Sequence, residues 1–85
     1  MNLDELKDKG YKIVTNWQEC NKKSIFIFNS NNKSKFINFT NLAIKKNCKF
    51  IICNIKFKKD IKQNLINYFF FKNQKNLQTL TKIFY

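Results

Sequence analysis

Few side chains in this sequence of 85 residues could act as acids, bases, nucleophiles or metal ligands. It contains no histidine, which excludes Ser/His and Cys/His nucleophilic pairs and most zinc and haem sites. The carboxylates are Asp4, Glu5, Asp8, Glu19 and Asp60, and the first three fall in one predicted helix, where surface and helix-dipole roles account for them. The sequence therefore predicts a domain that binds or positions a ligand and has no catalytic residues of its own.

The three cysteines, Cys20, Cys48 and Cys53, do not have the spacing of a metal or redox motif, because no CxxC pair and no fourth ligand is present. We predict that they are small buried apolar residues with free thiols, in a reducing compartment. The amino terminus is polar and does not resemble a secretory leader. The longest apolar run, Tyr68 to Phe71, is far shorter than the roughly 20 residues of a membrane helix. A cytoplasmic protein without membrane contact is expected.

The net charge of +12 comes from 17 basic residues, all of them lysine. Such a charge favours anionic partners. The sequence has no arginine, the side chain that most nucleic-acid-binding proteins use to bind phosphates and bases. The excess of Lys, Asn, Ile and Phe is typical of a gene with A/T-rich codons. Two interpretations stay open, and the inward-facing pattern of the aromatic residues favours a solvated lysine coat over a nucleic-acid surface. The lysines that would form such a surface are Lys33, Lys35, Lys45, Lys46 and Lys49.

The apolar patterns predict helices and strands in alternation. A first short helix begins at Asn2, whose spacing from Glu5 resembles a capping box, and ends at Gly10. Gly10 is the only glycine, which excludes a glycine-rich phosphate loop. Apolar runs of strand length predict four strands, at residues 11–15, 24–28, 49–53 and 68–71.

Between these strands, residues 29–35 are rich in Asn and Ser and predict an exposed loop. A second helix is predicted at residues 38–47, with Asn38 as its N-cap and Asn47 at its end. Residues 54–67 are polar and poorly periodic and predict no regular element.

Asn73 is predicted to cap a third helix that runs to the carboxyl end, with Leu77, Leu80 and Phe84 on one face. Strands that alternate with helices imply right-handed crossovers within one sheet. The predicted fold class is α/β, a small three-layer or two-layer domain with a sheet of about four strands and about three helices.

A longer pattern begins at Thr15 and reads T-N-W-Q-E-C-N-K-K-S-I-F-I-F. It resembles a stretch of the Mur ligase amino-terminal domain that opens with Thr-Asp-Ser-Arg and ends with Gly-Asp-Leu-Phe-Val-Ala, above all in the enzyme that adds the third residue to UDP-N-acetylmuramoyl-dipeptide. The sequence end, L-x-x-L-x-x-I-F-Y, is similar to the helix that closes this domain in the same ligase. Further residues at family positions are Phe39, Ala43, Ile44, Asn47, Cys48, Ile51 and Ile52.

The resemblance implies that residues 1–85 are a single domain that docks the uridine diphosphate end of a UDP-N-acetylmuramoyl-peptide precursor in peptidoglycan synthesis. It implies that Thr15 and Asn16, at the opening motif, bind the UDP group. It also implies that ATP-dependent amide formation, with ATP and Mg²⁺, belongs to two later ligase domains outside this sequence, so that this chain alone holds no cofactor. Departures from the family motif occur at Trp17, Gln18, Lys23 and Lys35.

Three functions thus stay open from the sequence. The first is docking of a UDP-linked precursor, with the remaining ligase domains as partners if the chain is a fragment. The second is a small lysine-rich nucleic-acid-binding module. The third is an interaction domain that binds no small ligand.

Overall fold

The computed structural model describes residues 1–62 and 65–85 and confirms the predicted α/β class. Its strands are β1 (Lys12–Val14), β2 (Ser24–Ile27), β3 (Phe50–Asn54) and β4 (Asn67–Phe71). Its α-helices are α1 (Leu3–Asp8), α2 (Lys33–Lys45) and α3 (Gln74–Thr81). The first, second and third 3₁₀ helices are Trp17–Glu19, Ile55–Asp60 and Lys82–Phe84.

The four strands form one parallel sheet in the order β1-β2-β3-β4. Each strand therefore pairs with the next strand along the chain, and each connection must cross over the sheet. Right-handed crossovers that advance in one direction all lie on the same face. The structure agrees, because Trp17 of the first 3₁₀ helix, Phe36 of α2 and Phe57 of the second 3₁₀ helix all pack in one core.

Each face of the sheet carries its own core, which makes the domain three-layered. Side chains alternate along β3, so that Ile51 and Cys53 enter the first core, whereas Phe50 and Ile52 enter the second. The second core is closed by α1, α3 and the third 3₁₀ helix. Burial on both faces explains why β2 and β3 read as continuous apolar runs in the sequence.

Aromatic contacts fix the first core. The rings of Phe36 and Phe57 stack in parallel with centroids 4.4 Å apart. Phe28, just after β2, meets both rings edge to face, at 5.5 Å and 5.8 Å. Such pairs contribute roughly 0.5–1.5 kcal/mol beyond the area that they bury. They hold α2 and the second 3₁₀ helix against the sheet.

Several predicted helix ends are confirmed. The side chain of Asn2 accepts a hydrogen bond from the Glu5 amide at 2.9 Å, and that of Asn73 accepts one from the Asn76 amide at 2.8 Å. Gly10 and Asn47 follow α1 and α2 with positive φ angles of 87° and 70°. Glycine and asparagine are the residues that adopt this left-handed conformation at least cost.

The predicted start of the second helix is wrong. Helix α2 begins at Lys33, and its N-cap is Asn32, which accepts from the Lys35 amide at 2.9 Å, so Asn38 lies within the helix. The first turn of α2 is polar because it faces solvent, and this polarity imitates a loop in the sequence. The exposed loop is correspondingly shorter than the predicted 29–35.

The prediction of no regular element at residues 54–67 is also wrong for its first half, which forms the second 3₁₀ helix. This helix is too short to show a period, and a single side chain, Phe57, anchors it. Residues 63 and 64 of that segment lie outside the described residues. The third helix departs less from its prediction, since α3 ends at Thr81 and tightens into the third 3₁₀ helix.

Replacing Phe57 by alanine should lower the free energy of unfolding by about 3–5 kcal/mol, because the change empties a fully packed aromatic site. Ile55→Ala, in the same 3₁₀ helix but with a side chain 42% exposed, is the control and should cost under about 1 kcal/mol. Urea unfolding followed by circular dichroism measures both values. Equal losses in the two variants would contradict the role given to Phe57.

Candidate functional site

The carboxyl ends of all four strands meet at one edge of the sheet, because the strands are parallel. Polar residues occupy this edge: Thr15 follows β1, Asn29 comes shortly after β2, Asn54 ends β3 and Asn73 follows β4. In open α/β sheets, ligands bind outside the carboxyl ends of the strands, at the point where the strand order reverses. The order β1-β2-β3-β4 has no reversal, so the gathering of polar residues is what distinguishes this edge. We therefore take this edge as the candidate site.

A polar cleft of about 240 Å³ opens at this edge, between the ends of β2, β3 and β4 and the first turn of α3. The buried ring of Phe71 contributes the apolar part of the lining. The lining residues are Asn29, Ser30, Asn31, Asn54, Phe71 and Gln74. Apart from that ring, the cleft is built from amide and hydroxyl groups.

Two side-chain amides join across the cleft. The Asn29 Nδ2 group donates to Gln74 Oε1 at 3.0 Å, and the Gln74 Nε2 group donates to Asn29 Oδ1 at 2.8 Å. Each primary amide has two N–H donors, so each keeps one donor for a ligand. The pair thus ties the loop after β2 to α3 and offers hydrogen-bond donors at the same time.

The electrostatic environment of the cleft is positive. Helices α2 and α3 begin at this edge, capped by Asn32 and Asn73, and a helix amino terminus carries partial positive charge. The Lys56 ammonium group donates to the Asn31 carbonyl oxygen at 3.2 Å. Among residues 1–62 and 65–85, those that line the cleft include no carboxylate. A ligand rich in acceptors or negative charge suits this arrangement.

Thr15 and Asn16 lie at the same sheet edge, beyond β1, but they do not line the cleft. Both are exposed. The Asn16 Oδ1 atom accepts from the Gln18 amide at 2.9 Å and so caps the first 3₁₀ helix, which leaves its amide N–H groups for other partners. Trp17 is partly buried and packs against the first core.

Residues 29–31 of the cleft fall in the loop predicted at 29–35, whereas Asn54 and Gln74 were not predicted to be site residues. Both carried a weak signal, since Asn54 is the first polar residue after a buried strand and Gln74 follows the N-cap Asn73. Neither signal indicates that Asn54 or Gln74 lies close to Asn29 in the fold. That proximity arises only from the strand order.

The lysines proposed for a nucleic-acid surface fall at two ends of α2. Lys33 and Lys35 lie in its first turn, whereas Lys45 and Lys46 lie at its end, roughly 18 Å away at 1.5 Å per residue. Lys49 precedes β3, near the second group. Lys33 also pairs with Asp60 at 3.2 Å. The set therefore forms two small groups, not one continuous stripe.

The three thiols are free and buried, as predicted. Burial raises the pKa of Cys20 to about 12, with a smaller contribution from the neighbouring Cys48, and burial raises the pKa of Cys53 to about 12. The Cys48 thiol donates to the Phe50 carbonyl oxygen at 3.2 Å. Protonated, buried thiols are poor nucleophiles and poor metal ligands. Within the described part of the chain, no group of His, Cys, Asp and Glu could hold a metal ion.

Comparisons with protein-family models, with curated proteins and with solved structures found no match to this chain. None of the helices formed by residues 1–62 and 65–85 has the length and apolar character that crossing a membrane requires.

Stability should fall in alkaline solution. Cys20, Cys53 and Tyr68 have ordinary pKa values of 9.0, 9.0 and 10.0, and burial raises each of these pKa values to about 12. A raised folded-state pKa gives stability that is complete below the ordinary pKa and is lost as the pH rises toward the folded-state value. The loss should therefore begin near pH 9 and continue to about pH 12.

The measurement is urea unfolding of the wild type and of Cys53→Ala, in a reducing buffer, at about pH 8 and about pH 11. The two proteins differ only at residue 53, so the difference between them reports the contribution of Cys53. The stability advantage of the wild type over the variant should shrink by roughly 2 kcal/mol across this range. An advantage that does not change with pH would contradict the raised pKa of Cys53.

Proposed function

We propose that this domain is a non-catalytic module that docks the uridine diphosphate end of a UDP-linked sugar precursor at the carboxyl edge of its sheet. The observation that carries the proposal is the amide-lined cleft with its positive surroundings. The resemblance to the Mur ligases supplies the identity of the ligand. The cleft and the resemblance are independent, since Asn54 and Gln74 are not among the residues that match the family pattern.

The donors in the cleft fit a pyrophosphate or a uracil edge. Both groups present oxygen acceptors, and Asn29 and Gln74 each keep a free N–H donor. Hydrogen bonds to a charged acceptor contribute about 1.5–3 kcal/mol each, and the amino termini of α2 and α3 add favourable dipoles.

The volume of the cleft sets a limit on what it holds. About 240 Å³ lies below the roughly 300–1,000 Å³ of a site for a drug-sized ligand. The cleft thus suits one end of a nucleotide and leaves the rest on the surface. Thr15 and Asn16, at the same sheet edge, offer a hydroxyl and an amide to that remainder.

In this proposal the chemistry is done elsewhere. Asp4, Glu5 and Asp8 lie on α1, which packs on the second core and not at the cleft, and the three thiols are buried. In a ligase of the Mur type, amide formation driven by ATP would take place on the later domains. This domain would supply affinity and orientation for the precursor.

Titration of the ¹⁵N-labelled protein with a UDP-N-acetylmuramoyl-peptide should shift backbone amide signals at residues 29–32, Asn54 and Gln74, and at Thr15 and Asn16. Gln74→Leu removes a donor and one partner of the amide pair, and it should weaken binding by about tenfold or more. Gln78→Leu, one turn further along α3 and outside the cleft, is the matched control and should bind as the wild type does. No shift at any of these amides would rule out UDP docking.

A second candidate, nucleic-acid binding, is favoured by the net charge of +12 and by the group formed by Lys45, Lys46 and Lys49. It is separated from the first by titration with a short single-stranded oligonucleotide. Nucleic-acid binding would shift signals near these lysines, with an affinity that falls steeply as salt rises. Shifts confined to the cleft, with little salt dependence, would exclude it.

A further inference from the structure

We propose that the outer edge of β4 is a docking site for an acidic, extended peptide segment, which adds a fifth strand to the sheet. The edge lies on a different part of the fold from the cleft between the strand ends. The proposal therefore stands whether or not the cleft binds a nucleotide.

The backbone of β4 shows which of its groups are available. The Asn67 amide donates to the Lys49 carbonyl oxygen at 2.9 Å, which turns Asn67 toward β3. In a parallel pair the bonding residues alternate along the strand, so Phe69 and Phe71 also face β3, whereas Tyr68 and Phe70 face away from it. Within residues 1–62 and 65–85, neither Tyr68 nor Phe70 has a backbone partner on the outer side. The edge thus offers two N–H donors and two carbonyl acceptors.

Aromatic side chains flank these groups on both faces of the sheet. Tyr68 and Phe70 stack with centroids 6.2 Å apart on one face, and Phe69 lies on the other face, 6.5 Å from Phe50. The rings of Tyr68, Phe69 and Phe70 are only partly buried. Leu65, just before the strand, is 83% exposed. Alternate side chains of an added strand would lie against the two faces in turn. Recognition by strand addition uses this combination of backbone bonds and alternate apolar contacts.

A groove of about 270 Å³ opens beside Tyr68. Helix α2 forms one side of the groove, and the end of the second 3₁₀ helix with the residues after it forms the other side. Its lining includes Phe36, Ile37 and Ile61. An apolar side chain from a strand paired with β4 would reach this groove. It provides a pocket that fixes the register of the added strand.

The charge around the edge decides which segment fits. The Lys58 ammonium group lies 5.8 Å from the centre of the Phe70 ring, Lys62 lines the groove, and Lys72 directly follows β4. Asp60 also lines the groove, but it is only 12% exposed and is paired with Lys33. The remaining carboxylates lie on α1 and on the first 3₁₀ helix. Both elements adjoin β1 in the sequence, and β1 forms the edge of the sheet opposite to β4.

This positive rim argues against a second copy of the chain as the partner. Lysines beside an edge strand repel an identical edge and so limit self-association. The same lysines attract carboxylates. The complementary partner is therefore a strand in which apolar residues alternate with Asp or Glu.

The test uses a blocked peptide of four alternating glutamate–valine pairs, with a lysine–valine peptide of the same length as the control. In the ¹⁵N-labelled protein, the acidic peptide should shift the amide signals of Tyr68 and Phe70 and slow hydrogen exchange at both. The basic peptide should leave them unchanged. Lys72→Glu should weaken binding of the acidic peptide by about threefold or more, because it reverses one charge on the rim.

Phe70→Pro and Phe70→Ala separate backbone pairing from ring contact. Both remove the ring, but only proline removes the outward N–H donor, and proline is tolerated at an edge strand where its nitrogen faces away from the sheet. The proline variant should bind about two- to tenfold more weakly than the alanine variant. Equal binding by the two variants would overturn pairing through the backbone.

Three other results would overturn the proposal. The first is the absence of any shift at Tyr68 and Phe70 with the acidic peptide up to about 1 mM. The second is equal binding of the acidic and basic peptides. The third is a shift of these amides that depends on protein concentration without peptide, which would assign the edge to a second copy. Lys72→Glu changes an exposed side chain, so it tests the rim even if the proline variant does not fold.

Discussion

Parallel pairing is the constraint on which the rest of this structure depends. Two parallel strands cannot be joined by a tight turn, so every connection must return across a face of the sheet. Because the strands are ordered as in the sequence, all three returns fall on one face, and they bring Trp17, Phe36 and Phe57 into one core. The opposite face must then be covered by elements outside the crossovers. Helices α1 and α3 perform this task, and three layers result.

The same constraint creates the candidate site. Parallel strands end together, and the polar residues Asn29, Asn54 and Asn73 lie at or just after the ends of β2, β3 and β4. These residues are far apart in the sequence but share one edge. The edge contains amides, hydroxyls and helix amino termini, and the described residues that line its cleft carry no ionisable side chain. Recognition there would depend on hydrogen-bond geometry and on the charge of the ligand.

The sequence was sufficient for much of the fold. Both central strands were predictable, because burial on two faces leaves an unbroken apolar run in the sequence. Helix ends were predictable from residues that make local hydrogen bonds or adopt a left-handed backbone: Asn2, Gly10, Asn47 and Asn73. The start of α2 was missed because an exposed first turn and a loop have the same polar composition. The second 3₁₀ helix was missed because one buried ring, without any repeat, holds it in place. The cleft itself could not be predicted, since no local pattern shows that Gln74 meets Asn29.

The second core brings the first helix together with the third 3₁₀ helix. Leu3 and Leu6, from the first helix, share that core with Ile83 and Phe84, from the last turn of the sequence. Neighbouring strands need only short-range loop closure, so the sheet and its crossovers can assemble progressively during synthesis. The second core cannot be completed in this stepwise way, because Leu3 and Leu6 pack with Ile83 and Phe84, which are synthesised much later. A nascent chain would therefore leave part of this face of the sheet uncovered until synthesis has reached Phe84, and long-range docking of the third 3₁₀ helix on α1 would close it.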